Sequence, residues 1–322
     1  MPIHAFFLIA AMALVGSNVG FGKSIVAVMP VMLFALLRFL IAIVCMAPWY
    51  KPSRMRRVTR GEWTNLFLQA FFGTFGFTLL MLNGVKLTSA LAAGIITSTI
   101  PAAVALLSWL VLREKPSGRT LVSVVLAVAG VAILNAYRGG ESSASPADAS
   151  QALLGNALVM GAVLCESIYV ILSRRLTQTL PAIEICAYTH LIGGLLMLPL
   201  GLVPLLTFDA SNVPPSIWGL VVWYALSASI FSFWLWMKGI RHVPAHLAGV
   251  FTSVLPIAAA TYGIIALGET PGWPHAVALA CVVAGILVAS WPARPRLPVQ
   301  SGRKPGRVVD PLDPLDPSLD RE

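Results

Sequence analysis

Ten runs of about 20 apolar residues, each bounded by charge, glycine or proline, fill the chain from Ile3 to Trp291, and a helix needs a run of about that length to cross a bilayer. By number they cover 3–21, 31–48, 63–82, 89–112, 121–136, 153–172, 183–205, 217–237, 245–267 and 276–291. Only 11% of the residues are charged, against about 25% in a soluble domain, so lipid rather than water is the main solvent. In lipid every backbone N–H and C=O must be paired internally, which leaves helices or a closed barrel. The runs lack the two-residue alternation of a barrel strand, so the expected fold is an all-α integral membrane protein with ten transmembrane helices. Trp49, Trp63, Trp218, Trp273 and Trp291 fall near the ends of runs, where indole rings favour the membrane–water boundary.

The basic residues orient these helices. With the N-terminus inside, the cytoplasmic loops hold Lys51, Arg54, Arg56, Arg57 and Arg60, then Arg113, Lys115 and Arg119, then Arg174 and Arg175, then Lys238 and Arg241. The exterior loops hold only Lys23, Lys86 and Arg138. Positive charge belongs on the cytoplasmic side, so the expectation is a multi-pass protein of the plasma (inner) membrane, bacterial in type, with both termini cytoplasmic. The net charge of +9 is then mostly topological, and no segment outside the membrane is large enough to be a nucleic-acid-binding domain. Residues 138–151, which include GGESSASPADAS, read as an exterior linker. Residues 292–322, proline-rich and ending DPLDPLDPSLDRE, read as a disordered cytoplasmic tail. Ala11-Met12-Ala13 mimics a signal-peptide cleavage site, but no basic segment precedes it, and the first run is expected to be retained.

One stretch invites a different reading. GSNVGFGKS, Gly16 to Ser24, ends like a phosphate-binding loop, yet Ser17 holds the place of the first glycine and no short strand precedes it. A nucleotide site is therefore not expected. Cys45, Cys165, Cys186 and Cys281 stand singly in apolar runs, so no metal site and no cofactor is implied. The runs contain no aspartate, and the paired or metal-binding acids of an intramembrane enzyme are missing, so the chain is read as a non-enzyme.

The two halves repeat. GVKLTSALAAGIITSTIPAAVALLSWLVLREKP from Gly84 aligns without gaps on GIRHVPAHLAGVFTSVLPIAAATYGIIALGETP from Gly239, with about a third of the positions identical. The matches include Ala90/Ala245, Gly94/Gly249, Thr97/Thr252, Ser98/Ser253, Pro101/Pro256 and Glu114/Glu269. Five runs per half make the second copy enter from the opposite side, so units 1–137 and 152–291 are expected to be inverted repeats that rock about a central site. Small residues every fourth position, Ala90, Gly94 and Ser98 with their counterparts, allow close helix packing. Pro101 and Pro256 free the carbonyls of Thr97 and Thr252, about 12 Å into the core, for either a plain kink or a cavity wall.

SALAAGIITSTIP with LREKP, its counterpart AHLAGVFTSVLP with LGETP, GSN at Gly16 to Asn18, and Arg38 in the second run together resemble the EamA family of the drug/metabolite transporter superfamily. The resemblance covers Ile3 to Trp291. It implies a ten-helix transporter with a central cavity between its halves, in a family that moves amino acids, nucleobases, drugs and other small metabolites. Where that family often carries tryptophan in the first helix of each unit, this chain has Val15 and Glu166.

Ionisable residues inside the bilayer cost about 2.5 to 3.5 kcal/mol each and are functional candidates. By helix rise, Arg38 lies about 10 Å from the outer end of its run, Glu166 about 20 Å from its outer end, and His190 about 10 Å from its inner end. Arg38 is either a structural ion pair or carbonyl-bonded anchor, or a partner for a substrate carboxylate; His190 is a hydrogen-bonded core histidine or part of a site. Glu166 has no basic neighbour on its helix before Arg174 and is the candidate for proton coupling or for a cationic substrate. Glu114 and Glu269 are expected to fix helix ends. Phe77, Tyr169, Trp234, Trp236 and Tyr262 are aromatic candidates for a cavity wall, and Asn18, Thr97, Pro101, Thr252 and Pro256 complete the candidate site. The functional expectation is export of a small metabolite, amino acid or drug by alternating access, with protons as the candidate coupling ion. A non-transport membrane protein is the alternative.

Overall fold

The computed structural model describes residues 2–51, 53, 58–112, 117–136, 146–177, 179–240, 251–252 and 254–290, and every regular element among them is helical. In chain order these are α1 (Pro2–Val26), α2 (Val31–Cys45), α3 (Arg60–Gln69), a first π-helical segment (Ala70–Gly76), α4 (Phe77–Leu87), α5 (Ala90–Thr97), α6 (Ile100–Leu112), α7 (Gly118–Ala136) and α8 (Pro146–Leu176). There follow α9 (Ala182–Thr207), α10 (Pro215–Leu226), a second π-helical segment (Ser227–Phe231), α11 (Ser232–Ile240), α12 (Val254–Leu267) and α13 (Trp273–Ser290). Among the described residues, seven continuous helical stretches are long and apolar enough to cross a membrane, and α2, α12 and α13 are shorter apolar helices. Their outward faces stay apolar: Val44, Leu206 and Ile265 are exposed, as side chains bathed in lipid would be.

Local chemistry explains where several helices start and stop. GSNVGFGKS lies wholly within α1, so its backbone N–H groups are committed to the helix and form no phosphate cradle. The helix runs past Phe21 to Val26 because Lys23 is neutralised where it stands, its Nζ donating to the Thr88 carbonyl and to Glu269 Oε1, each at 2.8 Å. α3 begins at Arg60 because Thr59 and Glu62 cap it reciprocally, the Thr59 N–H donating to Glu62 Oε2 and the Glu62 N–H to Thr59 Oγ1. α8 begins at Pro146, ahead of the apolar run, because proline in a first turn lacks only an N–H that the helix does not use. α5 and α6 are separated at Ser98 and Thr99, where Pro101 has no N–H for the Thr97 carbonyl. There the Ser98 hydroxyl donates to Gly94 O and the Thr99 hydroxyl to Ile96 O, holding the broken turn.

The bundle is built from a few extensive pairings. α1 lies against α11 and α12, α8 against α4 and α6, α2 against α9, α5 against α12, and α7 against α13. Two of these contacts bring backbones together. A Cβ on Gly155 would sit 2.9 Å from the Gly84 carbonyl oxygen, and one on Gly94 would collide with Ala259 Cβ. The Ala90, Gly94 and Ser98 stripe is therefore buried against α12, as the small-residue spacing predicts. Ala245, Gly249 and Ser253 lie outside the described residues. Phe34, Leu36, Phe39, Leu82, Ile95 and Ile96 are fully buried in the centre.

One end of the bundle is tied by Glu269. Gly268 takes the left-handed conformation, φ 67°, which turns the chain so that the Glu269 N–H reaches back to Gly263 O at 2.9 Å and closes the end of α12. The carboxylate then accepts from the N–H groups of Ala90 at 2.7 Å and Leu91 at 2.9 Å, as well as from Lys23. An anion at a helix N-terminus satisfies orphan donors and the helix dipole together. The expectation that Glu269 fixes a helix end holds; Glu114 lies outside the described residues. Thr88 continues the network through Asn156 to Asn135.

Candidate functional site

Polar side chains gather where the two π-helical segments meet α9. A π turn inserts one residue per turn and re-aims the side chains that follow it. From the first segment, Thr74 Oγ1 donates to the Ala70 carbonyl at 2.7 Å and to the Thr189 carbonyl at 3.1 Å. From the second, Ser229 Oγ meets Nε2 of His190, the next residue along, at 3.0 Å. Carrying the gapless register of the repeat back by one helix lays Thr74 over Ser229, so the two halves grip α9 at consecutive residues with equivalent hydroxyls.

His190 is buried and doubly held. Its Nδ1 lies 2.8 Å from the Cys186 carbonyl, which can only accept, so Nδ1 carries a proton and Nε2 is left to accept from Ser229. Its ring meets Phe39 edge-on at 6.0 Å. These contacts hold the ring as a hydrogen-bonded core histidine.

Arg38 is held differently. It sits in the middle of α2 with 7% of its surface exposed, and Nη1 donates to the Thr78 hydroxyl. Nε is buried without a hydrogen-bond partner. The guanidinium lies over the rings of Phe39 and Tyr224, at 5.4 and 5.7 Å. Tyr224 is itself braced edge-on by Phe34 at 5.0 Å. Aromatic faces stabilise a cation without neutralising it. Among the described residues Arg38 forms no ion pair.

Glu166 and Tyr169 approach from α8. Tyr169 fills the space over Gly73 of the first π segment, and Cys165 Sγ lies 3.5 Å from a Cβ built on Gly76, so this face of α8 looks at the turn that carries Thr74 and Thr78. Glu166 is half-buried, makes no hydrogen bond or ion pair among the described residues, and lies within electrostatic reach of Arg38. Asn18 enters from α1, its Oδ1 accepting from Ser227 Oγ at 2.8 Å while its Nδ2 is buried without a partner. Ser227 also donates to the Tyr224 carbonyl, which joins Asn18 to the group around Arg38. Among the described residues the centre thus holds two unfilled donors, Arg38 Nε and Asn18 Nδ2, and one unfilled acceptor, Glu166.

The other candidates lie elsewhere. Thr97 is buried with its hydroxyl on the Ala93 carbonyl at 2.6 Å, Pro101 is exposed, Thr252 is half-buried and Pro256 is buried. Tyr262 bonds Ser24 at 3.1 Å and stacks edge-on with Phe21, at the wall of an apolar groove of about 630 Å³ between α1 and α12. That groove is lined by Ala13, Leu14, Ser17, Ala258, Ile265 and their neighbours, and touches none of the central polar residues. Trp234 is 52% exposed beneath the Lys238 ammonium at 3.8 Å, away from the centre. Sequence reasoning missed Thr74, Thr78, Tyr224, Ser227 and Ser229. The signal available for the last two was SASIFS, three hydroxyls packed into one apolar run.

A multi-pass helical protein with a buried, partly unsatisfied polar centre assembled from several spans belongs to the class of membrane transporters rather than of lipid-facing scaffolds. The sequence profile of the EamA-like transporter family matches residues 2–136 and again 153–291, and the chain belongs to that family. It is 37% identical over 283 residues to the uncharacterized transporter YetK of Bacillus subtilis (strain 168), a match covering 87% of this chain and 84% of the relative. It is 24% identical over 240 residues to the aromatic amino acid exporter YddG of Ancylobacter novellus, covering 74% of this chain and 79% of that protein. A solved crystal structure superposes with TM-score 0.58 at 20% identity, covering 88% of this chain and 96% of the other, a likeness of fold.

Proposed function

We propose that the chain carries a small organic metabolite out of the cell by alternating access, with ten spans in two inverted five-helix units, 1–137 and 152–291, joined by an exterior linker at 138–151. The cytoplasmic tail is 292–322, and both termini lie inside the plasma (inner) membrane. The observation that carries this reading is the symmetry of the helix pairings. Exchanging the halves turns the contacts of α1 with α11 and α12 into those of α8 with α4 and α6, and turns α2 with α9 and α7 with α13 each into itself. The double family match and the equivalent π turns support the same relation. Two units of opposite sense packed about such an axis can tilt against each other and open a shared centre to one side at a time.

In this reading the centre is the site and Glu166 is its proton-carrying group, because a carboxylate with no partner in low dielectric exchanges a proton at lower cost than a paired one. Protein reconstituted into vesicles is expected to drive solute flux that follows an imposed pH gradient, and Glu166→Gln is expected to leave flux that ignores the gradient. A pH dependence unchanged in that variant assigns Glu166 to structure. Reporter fusions at Ser143 and at the C-terminus are expected to give opposite signals; matching signals contradict the ten-span topology.

A further inference from the structure

We propose that Arg38 is a carboxylate-binding subsite, and that the ligand it takes is zwitterionic, with a cationic group placed toward Glu166. The inference rests on the transport reading for its setting but on Arg38 for its content. A guanidinium presents a planar fork that matches the two oxygens of a carboxylate. Here Nη1 is taken by Thr78, and the edge that includes Nε carries no hydrogen bond although it is buried. Phe39 and Tyr224 fix the plane of the group without supplying an anion. Among the described residues no carboxylate closes the gap: Glu166 is near enough to be felt but forms no ion pair with Arg38. A buried cation held in place by rings and one hydroxyl, with its Nε unpartnered, is prepared for an anion that arrives from outside the chain.

Glu166 decides which anion. A ligand bearing only carboxylates meets repulsion from Glu166, whereas one that also carries an ammonium satisfies both charges and leaves the site neutral. Asn18 Nδ2 is a second buried donor without a partner, on a side chain linked through Ser227 to the Tyr224 carbonyl.

The test uses the purified full chain in lipid nanodiscs. Binding of the common free L-amino acids is measured beside their C-terminal amides, which lose the carboxylate, and their N-acetyl derivatives, which lose the ammonium. At least one free amino acid is expected to bind, with its amide and its N-acetyl form each at least tenfold weaker. Arg38→Gln is expected to lower affinity for the free amino acid at least tenfold while leaving the weak binding of its amide unchanged, and Arg38→Lys to fall between. Amides that bind as well as the acids overturn the proposal, as does wild-type affinity in Arg38→Gln or a panel in which no amino acid binds. Should Arg38→Gln fail to fold, the acid–amide comparison on the wild-type protein decides alone. Flux of a neutral or purely cationic solute without carboxylate binding keeps the transport reading and removes the subsite. Carboxylate binding without flux of any bound solute keeps the subsite and removes the transport reading.

Discussion

Lys23, in the last turn of α1, donates to a carbonyl and to the Glu269 carboxylate, whereas Arg38, in the middle of α2, donates to one hydroxyl and otherwise faces two aromatic rings. Both are cations in an apolar bundle, and the difference separates two uses of charge. Around Lys23 every strong donor has a strong acceptor, and Glu269 answers three donors at once. That arrangement ties α1, α5 and the end of α12 into one end of the bundle, and it leaves nothing for a ligand to complete. Around Arg38 the ring contacts hold position while the charge stays unanswered. A charge kept in that condition costs stability, a cost for which the proposed carboxylate subsite accounts.

Breaking the closed end is expected to have the largest effect on folding. Glu269→Ala strands a largely buried ammonium and two backbone N–H groups, which corresponds to a loss of about 3 to 5 kcal/mol for a buried pair with one partner removed, less the share that the exposed part of Lys23 recovers from water. A marked fall in the melting temperature of the purified protein is the expected readout, and an unchanged melt contradicts the structural role given to that end. Gly94→Leu comes next. Its side chain has no room against Ala259, and overpacking of this kind costs about 1 to 3 kcal/mol, so the yield of folded protein is expected to fall before any change in substrate preference. Equal yield removes the close contact between α5 and α12. Smallest is Trp234→Leu. Its indole is exposed and touches Lys238 rather than the centre, so flux is expected to change by less than about twofold, the effect of a surface contact. A large loss moves the site toward α11.

The helices were legible because membrane spans advertise themselves by length and hydropathy, and the repeat supplied the order of the halves. Their ends were less so. The continuation of α1 past Phe21 depends on Glu269, a partner far along the chain that no local pattern reveals. The start of α3 was visible in Thr59-Arg60-Gly61-Glu62, a capping sequence that a search for apolar runs passes over. At the centre, Asn18, Arg38, Glu166, Tyr169 and His190 stood out because polar or amphipathic residues in an apolar run are conspicuous. Thr74, Thr78, Ser227 and Ser229 did not, because a lone hydroxyl in a membrane helix ordinarily bonds its own backbone and carries no distinguishing pattern. The π turns that bring Thr74 and Ser229 onto α9 come from tertiary packing and leave no signature in hydropathy. Trp234 and Tyr262 were selected for being aromatic, a property that lipid-facing and groove-lining positions share with cavity walls.

The claim that Arg38 is kept for a ligand rather than for the fold is tested most directly by the melting temperature of Arg38→Met without added solute. Methionine has similar length, suits the space between Phe39 and Tyr224, and removes a buried charge that has no ion-pair partner among the described residues, so the cost of burying that charge is relieved. The expected result is a melting temperature equal to or above that of the wild-type protein, in contrast to the fall expected for Glu269→Ala. A fall as large as that of Glu269→Ala contradicts the account and makes Arg38 a second structural anchor.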